Sequence, residues 1–262
     1  MNFLLLEAGE VDDDGRCQLQ GRRAEHLRTV LHATVGSEVR IGILNGALGT
    51  GRVVEIDGEH VTVALEDTPS ERPAPLHDTL LLAVPRPKVL LRMLAHAAAM
   101  GFARIVLFRS WRVDKTWMQS RAFAPEVQRE QLLLGLEQAG RTQLPQVLRF
   151  DRFKPMVEDE LPGLQLPQPR FVAHPYAATP THQLAPFGTW HQQTAAQAPQ
   201  AAAFTLAIGP DGGFLPYEID KLCQAGFHAI SCGPHALRTE TALAALWGQL
   251  HLLRQQRGRV SL

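Results

Sequence analysis

The sequence predicts an α/β domain with a mostly parallel sheet, preceded by a small β-barrel domain. Three observations lead to this fold class. Residues 1 to about 68 read as short strands separated by turn signals, whereas apolar runs alternate with helical stripes from residue 80 onwards. Residues 68–75 hold three prolines without periodicity, which is typical of an interdomain linker. We therefore predict a first domain over residues 1–70 and a second over residues 71–262.

The elements of the first domain follow from short β-prone runs and the turns between them. Strands are predicted at residues 3–6, 18–19, 38–44, 50–56 and 60–66. Asn45-Gly46 and Asp57-Gly58 lie between predicted strands, and both dipeptides favour type I′ hairpins. Apolar residues recur at helical spacing over residues 24–31, so one short helix interrupts the strands.

The second domain begins with a predicted βαβ unit. Residues 80–84 form a continuous apolar run, as a strand buried on both faces requires. Six apolar residues between Val89 and Ala98 form one helical stripe, and Gly101 stands where a C-terminal cap belongs. The next strand is predicted over residues 104–108. Further strands are predicted near residues 147–150, 171–173, 204–208 and 228–231, and further helices at about 125–139 and from Glu240 onwards. Residues 191–202, in a segment rich in Gln, Ala and Pro, read as a surface excursion.

Composition argues against several classes of protein. The longest apolar runs, such as residues 80–84 and 132–136, are far shorter than the roughly 18 residues of a membrane span. The N-terminus lacks the basic start of a signal peptide, so we expect a cytoplasmic protein. The three cysteines form no C-x-x-C pair, so no disulfide framework is expected. His174, His182 and His191 are spaced too irregularly for a helical metal site, and no metal is expected.

The formal net charge of zero conceals two segments of opposite charge. Residues 1–70 hold six basic residues against twelve acidic ones, whereas residues 86–154 hold 13 against five. In the basic segment, aromatic side chains alternate with cations, a pattern that fits the bases and phosphates of a nucleic acid. These aromatics are Phe102, Phe108, Trp111, Trp117 and Phe123. A solvated arginine-rich surface would give the same charge counts, so charge alone leaves both interpretations open.

Two glycine-proline loops each follow a predicted strand and precede a helix. The first, residues 208–214, reads IGPDGGF, and the second, residues 232–242, reads CGPHALRTETA. We expect their strands to be adjacent, so that both loops lie at the carboxyl edge of the sheet, where open α/β sheets bind ligands. Neither loop matches G-x-G-x-x-G or a P-loop, so nucleotide hydrolysis is not indicated. One such loop would be interpreted as a tight turn, but the pair indicates a binding site.

At these two loops the sequence resembles the SPOUT class of S-adenosylmethionine-dependent RNA methyltransferases, specifically the 16S rRNA uridine N3-methyltransferase family. IGPDGGF is similar to the family's I-G-P-E-G-G-[FL], with Asp211 in place of Glu. CGPHALRTETA is similar to L-G-P-R-[IV]-L-R-T-E-T-A and departs from it at Cys232, His235 and Ala236. Residues 136–141 resemble an E-Q-[CS]-G-R motif, a His-Pro pair follows residues 171–173, and residues 25–32 resemble an H-[IL]-x-x-V-L-R segment. The resemblance therefore covers nearly the whole chain.

The resemblance implies a PUA-like β-barrel that binds RNA over residues 1–70 and a SPOUT domain with a trefoil knot over residues 71–262. It also implies a homodimer, S-adenosyl-L-methionine as the cofactor, and 16S rRNA or the small ribosomal subunit as the partner. Neither DNA nor a membrane is expected as a partner. The residues expected to contact the cofactor are His174, Pro175, Ile208, Gly209, Pro210, Asp211, Gly212, Gly213, Cys232, Gly233, Leu237, Arg238, Thr239 and Thr241.

Methylation at uridine N3 removes a proton and places negative charge on O2 and O4, so a cation beside those oxygens would assist the reaction. We assign that role to Arg238. Glu240 would accept the proton or orient Arg238, and capping of the last helix explains Glu240 equally well. The residues expected to contact RNA are Arg16, Arg22, Arg23, Arg28, Arg86, Lys88, Gln138 and Arg141.

Two other functions remain open at this point. A related SPOUT enzyme would methylate another base or a ribose 2′-hydroxyl. A non-catalytic RNA-binding protein of ribosome assembly would carry a degenerate cofactor pocket, and the intact glycines of both loops argue against it.

Overall fold

The computed structural model describes residues 3–66, 77–175, 185–186, 203–233 and 235–259. The linker expected at residues 68–75 and the surface excursion expected at 191–202 lie outside the described residues. The chain divides into two compact units. The first comprises Met1–Pro75 together with Leu132–Leu144, and the second comprises Leu76–Gln131 and Pro145–Leu262. The segment 132–144 therefore packs with the N-terminal residues, although the stretch Leu76–Gln131 of the second unit separates the two in the sequence.

The first unit is a five-stranded sheet that curls into a half-barrel. Its strands are β1 (Phe3–Leu6), β2 (Arg16–Leu19), β3 (Glu38–Ile43), β4 (Leu48–Asp57) and β5 (His60–Leu65). Their order is β1-β3-β4-β5-β2, with β1 and β3 parallel and the other pairs antiparallel. Helix α1 (Gly21–Glu25) continues into a π-helical turn (His26–Val30). The five predicted strands and the short helix are confirmed, and alternate strand residues such as Leu19, Val61 and Val63 fill the core.

Both type I′ turns predicted for this unit are wrong. A type I′ turn needs a positive φ at both central residues. In the first predicted turn, Asn45 has φ 57° but the φ of Gly46 is not positive. In the second, Gly58 has φ 55° but the φ of Asp57 is not positive, because Asp57 still belongs to β4 and pairs with His60. The loop after β3 is held instead by the segment 132–144, because the N–H of Asn45 donates to Thr142 O (2.8 Å) and its Oδ1 accepts from the N–H of Leu144 (2.9 Å).

The second unit is built on a seven-stranded sheet in which every pair is parallel. Its strands are β6 (Thr79–Ala83), β7 (Arg104–Phe108), β8 (Gln146–Phe150), β9 (Arg170–Ala173), β10 (Ala185–Pro186), β11 (Thr205–Ile208) and β12 (Phe227–Ser231). Its longer helices are α2 (Pro87–Met100), α3 (Pro125–Ala139), α4 (Pro216–Gln224) and α5 (Thr239–Arg259). The residues of α3 from Leu132 onwards belong to the first unit. The predicted α/β class with a mostly parallel sheet is confirmed. The two-residue strand β10 and helix α4 were not predicted.

The burial of β6 and α2 in the core of this unit explains why both elements could be predicted from their apolar patterns. The leucines of β6 are fully buried, since a parallel strand inside the sheet is covered on both faces. The stripe of α2 is buried as predicted, from Leu90 to Ala98. Gly101 ends α2 with φ 88°, a left-handed conformation that glycine adopts without strain. Among the described residues, no helix combines the length and apolar character that would let it cross a bilayer.

The strand order corrects one expectation about the site. The order is β10-β12-β9-β11-β6-β7-β8, so β9 lies between β11 and β12. The two strands that carry the glycine-proline loops are therefore not adjacent. Because all these strands are parallel, the carboxyl ends of β12, β9, β11 and β6 still lie at one edge, and the end of β9 adds His174 and Pro175 between the two loops.

Candidate functional site

A cavity of about 660 Å³ opens at the carboxyl edge of the sheet in the second unit. The residues that follow β6, β7, β9, β11 and β12 line it, together with the first turns of α2 and α5. This is the position at which the chain reverses its direction of progress across the sheet, from β6 towards β8 and then back to β9 and β11. Open α/β sheets place ligands at such a point.

The loop after β11 uses its glycines for two different reasons. A Cβ on Gly209 would come within 3.1 Å of the Phe214 ring, which is buried and stacks on Phe108 at 6.3 Å. Gly213 has φ 70°, and its N–H donates to Pro210 O (2.7 Å), closing a tight turn. A Cβ on Gly213 would meet no atom within 4 Å. The loop therefore keeps its backbone close to the cavity with no side chain in between.

The loop after β12 is folded by a small side chain. The Ser231 hydroxyl donates to Gly233 O (2.8 Å) and accepts from Gly233 N–H (3.1 Å). Gly233 has φ 143°. The loop then runs past Leu237 and Arg238, which are exposed, into helix α5 at Thr239. Cys232, Leu237 and Arg238 of this segment line the cavity.

Asp211 joins the two loops. The Thr239 hydroxyl donates to Asp211 Oδ1 (3.1 Å), and Arg86 Nε lies 3.3 Å from Asp211 Oδ2. A second ion pair, between Arg92 Nη2 and Glu240 Oε1 (2.9 Å), ties α2 to the first turn of α5. Asp211 is therefore connected to Thr239 of the second loop and to the residue before α2, and Glu240 is connected to α2 itself.

His174 brings an unsatisfied polar atom to the cavity. Its N–H donates to Ile230 O (3.0 Å), which fixes the backbone beside β12. Its ring atom Nδ1 is buried and has no hydrogen-bond partner within the described part of the chain. Burial lowers the pKa of the His174 ring, and the nearby Arg112 guanidinium lowers it further. The imidazole is therefore neutral at pH 7 and has a free hydrogen-bonding position, which is unusual for a buried group.

Most of the residues expected to contact the cofactor lie in this one cavity. Twelve of the fourteen line it, and the two exceptions are Gly233 and Thr241. Arg238 and Glu240 also line it. The Glu240 carboxylate pairs with Arg92, and no hydrogen bond from Arg238 reaches it among the described residues. Its own backbone N–H and then Arg92 lower the pKa of Glu240, so the carboxylate is a weak proton acceptor.

The residues expected to contact RNA are not gathered in the same way. Arg86 lines the cavity, and Lys88 is exposed on α2. The others belong to the first unit: Arg16, Arg22, Arg23, Arg28, Gln138 and Arg141.

Several of those first-unit arginines already have acidic partners. Arg22 pairs with Glu137 (2.8 Å), and Arg23 pairs with Glu10. Arg16 and Arg28 are exposed, and no described acid pairs with either. The charge available for RNA in this unit is therefore smaller than the count of its arginines.

Sequence reasoning missed Arg112 and Arg92. Arg112 follows β7, and its Nη1 donates to Gly212 O while its side chain packs over Gly212. The rule that ligand-binding residues follow parallel strands could have found it. The aromatic pattern was also partly misleading, because Phe102 and Phe108 are buried and cannot stack on a base, whereas Trp111 is 82% exposed.

Comparison with known proteins defines the class. The sequence model of the family described as RNA methyltransferase domain matches residues 72–251, and the chain belongs to this family. The resemblance to the SPOUT methyltransferases is thereby confirmed. The chain is 28% identical over 251 residues to "Ribosomal RNA small subunit methyltransferase E" of Treponema pallidum, an alignment that covers 94% of this chain and 88% of that protein.

Two solved structures share the fold. Ribosomal RNA small subunit methyltransferase E from Neisseria gonorrhoeae, bound to S-adenosyl methionine, superposes with a TM-score of 0.69 at 20% identity, covering 95% of this chain and 97% of that one. A Legionella pneumophila protein, solved as a methyltransferase with the bound cofactor SAM, gives a TM-score of 0.70 at 22% identity, covering 96% and 97%. The expectation of S-adenosylmethionine agrees with the contents of both structures.

Proposed function

We propose that this protein transfers a methyl group from S-adenosyl-L-methionine to N3 of a uridine in 16S rRNA of the small ribosomal subunit. The observation that carries the proposal is the single cavity shared by IGPDGGF, CGPHALRTETA and the His-Pro pair. The name of the Treponema relative supports the choice of small-subunit rRNA as the substrate.

The residues of the cavity fit the cofactor. Its volume of about 660 Å³ lies within the range of small-molecule sites, roughly 300–1,000 Å³. The neutral His174 ring offers a free buried Nδ1, and Gly213 leaves space that a side chain would fill. The backbones of Ile208, Cys232 and Leu237 would hold the adenosine and methionine portions. When bound, the cofactor supplies a methyl group on a sulfonium, which is transferred by in-line displacement.

The chain's own residues then orient the acceptor base and stabilise its charge. Arg238 is exposed on the cavity lining, so its guanidinium is available to donate to uridine O2 or O4 as they become negative. Glu240 is better suited to positioning than to accepting the proton, since Arg92 and its own N–H keep its carboxylate ionised. It would hold the first turn of α5, and with it the backbone beside Arg238.

The proposal extends to the rest of the molecule. The first unit would be a PUA-like RNA-binding domain, and the second would contain the trefoil knot of the SPOUT class. The active form would be a cytoplasmic homodimer. The resemblance of residues 25–32 to the family segment supports the first of these expectations. The others rest on the family resemblance alone.

The experiment that tests the reaction is methylation of small ribosomal subunits that lack rRNA methylation, followed by mass spectrometry of the digested nucleosides. We expect 3-methyluridine to form only with both enzyme and S-adenosylmethionine present. Formation of a 2′-O-methylated nucleoside, or of another methylated base, would assign the enzyme to a different SPOUT specificity. Absence of any methylated product, together with tight RNA binding, would support the non-catalytic alternative.

A further inference from the structure

The second unit contains another cavity, of about 750 Å³, for which the proposed reaction has no use. Four of its lining residues are cationic, and three are aromatic. The cations are Arg109, Lys115, Arg152 and Lys154, and the aromatics are Trp111, Tyr217 and the buried Phe153. It is bounded by the segment after β7, the segment after β8 and the start of α4. All of these residues belong to the same unit as the first cavity.

The cations of this cavity are largely free to bind an anion. No described acid pairs with Lys115 or Arg152, and both side chains are exposed. Arg109 donates from Nε to Asp151 O (2.9 Å), which leaves its two Nη atoms to bind an anion. Lys154 lies 3.9 Å from Glu158, a long and exposed ion pair that water weakens. The local field therefore favours a ligand with more than one negative charge.

The carboxylate in the lining, Glu218, is buried and is hydrogen-bonded by the protein's own donors. Glu218 is 2% exposed. One of its oxygens accepts from the Ser110 hydroxyl (3.0 Å) and Leu215 N–H (2.9 Å), and the other accepts from Trp111 N–H (3.0 Å). Its hydrogen-bonding capacity is directed into the protein, where it fixes the backbone on which Trp111 sits.

Trp111 gives the cavity a flat aromatic surface. Its side chain is 82% exposed, whereas its backbone is held by Glu218 and by the packing of the neighbouring Val113, which is 5% exposed. A large exposed ring on a fixed backbone, surrounded by cations, is the arrangement with which proteins stack an unpaired nucleic-acid base.

The two cavities are separated by very little chain. Arg112 lines the first cavity, while Trp111 and Val113 on either side of it line the second. In the same way, Phe214 lines the first and Leu215 the second. Consecutive Cα atoms are about 3.8 Å apart, so the linings of the two cavities come close together at these two places. N3 lies on the Watson–Crick edge of uridine, so the target base must be unpaired, and the nucleotides next to it are exposed to such contacts.

We propose that this second cavity binds a nucleotide that flanks the methylated base in the substrate RNA. Its base stacks on Trp111, and the adjoining phosphates pair with Lys115, Arg152 and Lys154. This inference rests on the proposed function in one respect, since it takes RNA to be the substrate that enters the first cavity.

Two variants test the site, each with a matched control. Trp111→Ala removes the stacking surface, and Trp111→Phe keeps part of it. The double variant Lys115→Glu and Arg152→Glu reverses the charge, and Arg121→Glu changes an exposed arginine of the same unit that lines neither cavity. The probe is an oligouridylate of about ten nucleotides, a length in the range of single-stranded sites, and binding is followed by fluorescence anisotropy.

We expect Trp111→Ala to weaken RNA binding about tenfold, the size usual for loss of one stacked base. Trp111→Phe should retain most of the affinity, and the charge-reversal variant should weaken binding at least as much. Arg121→Glu should bind within about twofold of the unmodified protein. All variants should bind S-adenosylmethionine with unchanged affinity, and on ribosomal subunits the cavity variants should raise KM more than they lower kcat.

A cross-linking experiment on the unmodified protein completes the test. Oligouridylate containing 4-thiouridine should cross-link to the peptides that hold Trp111 or Lys154. Cross-links confined to other peptides, or variants that bind and methylate RNA as the unmodified protein does, would overturn the inference and leave the proposed reaction intact. If 3-methyluridine never forms while Trp111 still cross-links and the variants still weaken binding, the proposed reaction fails and this RNA site stands.

Discussion

At the scale of single residues, Asp211 shows how a shorter side chain can serve where the family motif has Glu. Its carboxylate reaches Thr239 at the start of α5 and Arg86 at the start of α2. Since Thr239 is 5% exposed, the bond from its hydroxyl lies largely out of water, where hydrogen bonds to charged groups contribute most. The backbone around Arg238 is therefore fixed from a neighbouring loop, which bears on the first prediction.

Arg238→Ala should reduce methyl transfer by about 10²- to 10³-fold, the usual cost of removing one donor to a developing oxyanion. The affinity for S-adenosylmethionine should change by only a few-fold, because the loop backbones that would hold the cofactor are fixed by Asp211 and Ser231. Single-turnover methylation and isothermal calorimetry measure the two quantities separately. Arg238→Lys, which keeps a cation, should lose less activity. Unchanged turnover in the alanine variant would remove Arg238 from the mechanism.

Gly213→Val should abolish S-adenosylmethionine binding while the protein stays folded. Gly213 has φ 70°, a conformation in which a β-branched residue is strained, and the added side chain would project beside the cavity. Gly226→Val provides the matched control, since Gly226 has φ 86° but does not line the cavity. The control should lower the melting temperature by a similar amount and bind the cofactor normally. Calorimetric binding by the Gly213 variant would contradict the placement of the cofactor against this loop.

At the scale of the elements, helix α5 is held at both of its described ends. Its first turn carries Thr239 and Glu240 into the cavity, and Leu243, Leu246 and Leu250 bury its inner face. Near its far end, Arg254 Nη2 pairs with Asp78 (2.6 Å), a residue just before β6 that is 4% exposed in its side chain. Asp78 also accepts from Phe204 N–H (3.0 Å), just before β11. The ion pair thus connects α5 to two central strands, and the register of α5 determines where Arg238 stands.

Arg254→Met should destabilise the protein by about 3–5 kcal/mol at pH 7, because it leaves the Asp78 carboxylate buried and unpaired. The double variant with Asp78→Asn should lose less, since no charge then remains buried. Urea denaturation measures both. Lys221→Met, which breaks the exposed pair with Glu158, serves as a control and should have almost no effect.

The pH dependence of this variant has a defined sign. Burial raises the pKa of Asp78, and its bond to Arg254 opposes that rise. Without Arg254 the folded-state pKa is higher still, so the folded state binds more protons than the unfolded state above about pH 4. The deficit of Arg254→Met should therefore shrink as the pH is lowered from 7 towards 5. A deficit that stays constant over this range would show that Asp78 is not the source of the lost stability.

Most of the elements were predictable, apart from α4 and β10, but their arrangement was only partly so. Strand β6 and helix α2 leave strong local patterns, because burial on both faces demands an apolar run and burial on one side demands a stripe. The position of β9 between β11 and β12 leaves no such pattern, since strand order depends on pairing between distant segments. For the same reason the packing of residues 132–144 with the first unit was not foreseen. The loops of the site were found through their glycines, whereas Arg112 is marked only by its position after a parallel strand.

At the scale of the whole molecule, the balance of charge is set by which arginines remain unpaired. Within the first unit, Glu10 and Glu137 neutralise Arg23 and Arg22, and Glu66 pairs with Arg52. Arg16 and Arg28 are exposed without a described acidic partner. The acidic surplus of residues 1–70 therefore coexists with these two arginines and with Arg40, which is exposed and lies over the Phe3 ring. Arg16 and Arg28 are the two that we expect to contact RNA, where they would exchange salt counterions for its phosphates.

Affinity for small-subunit rRNA should accordingly fall as the salt concentration rises, with a linear dependence of log K on log salt. The double variant Arg16→Ala and Arg28→Ala should reduce the magnitude of that slope by about two, since each phosphate contact contributes about one. Arg52→Ala should leave the slope unchanged, because Arg52 is already paired with Glu66. Filter binding from 50 to about 200 mM salt gives the three slopes.

A flat dependence for the unmodified protein would show that phosphate contacts do not drive binding. Equal slopes for it and the double variant would place those contacts away from Arg16 and Arg28, because cations that release no counterions cannot be part of the RNA interface.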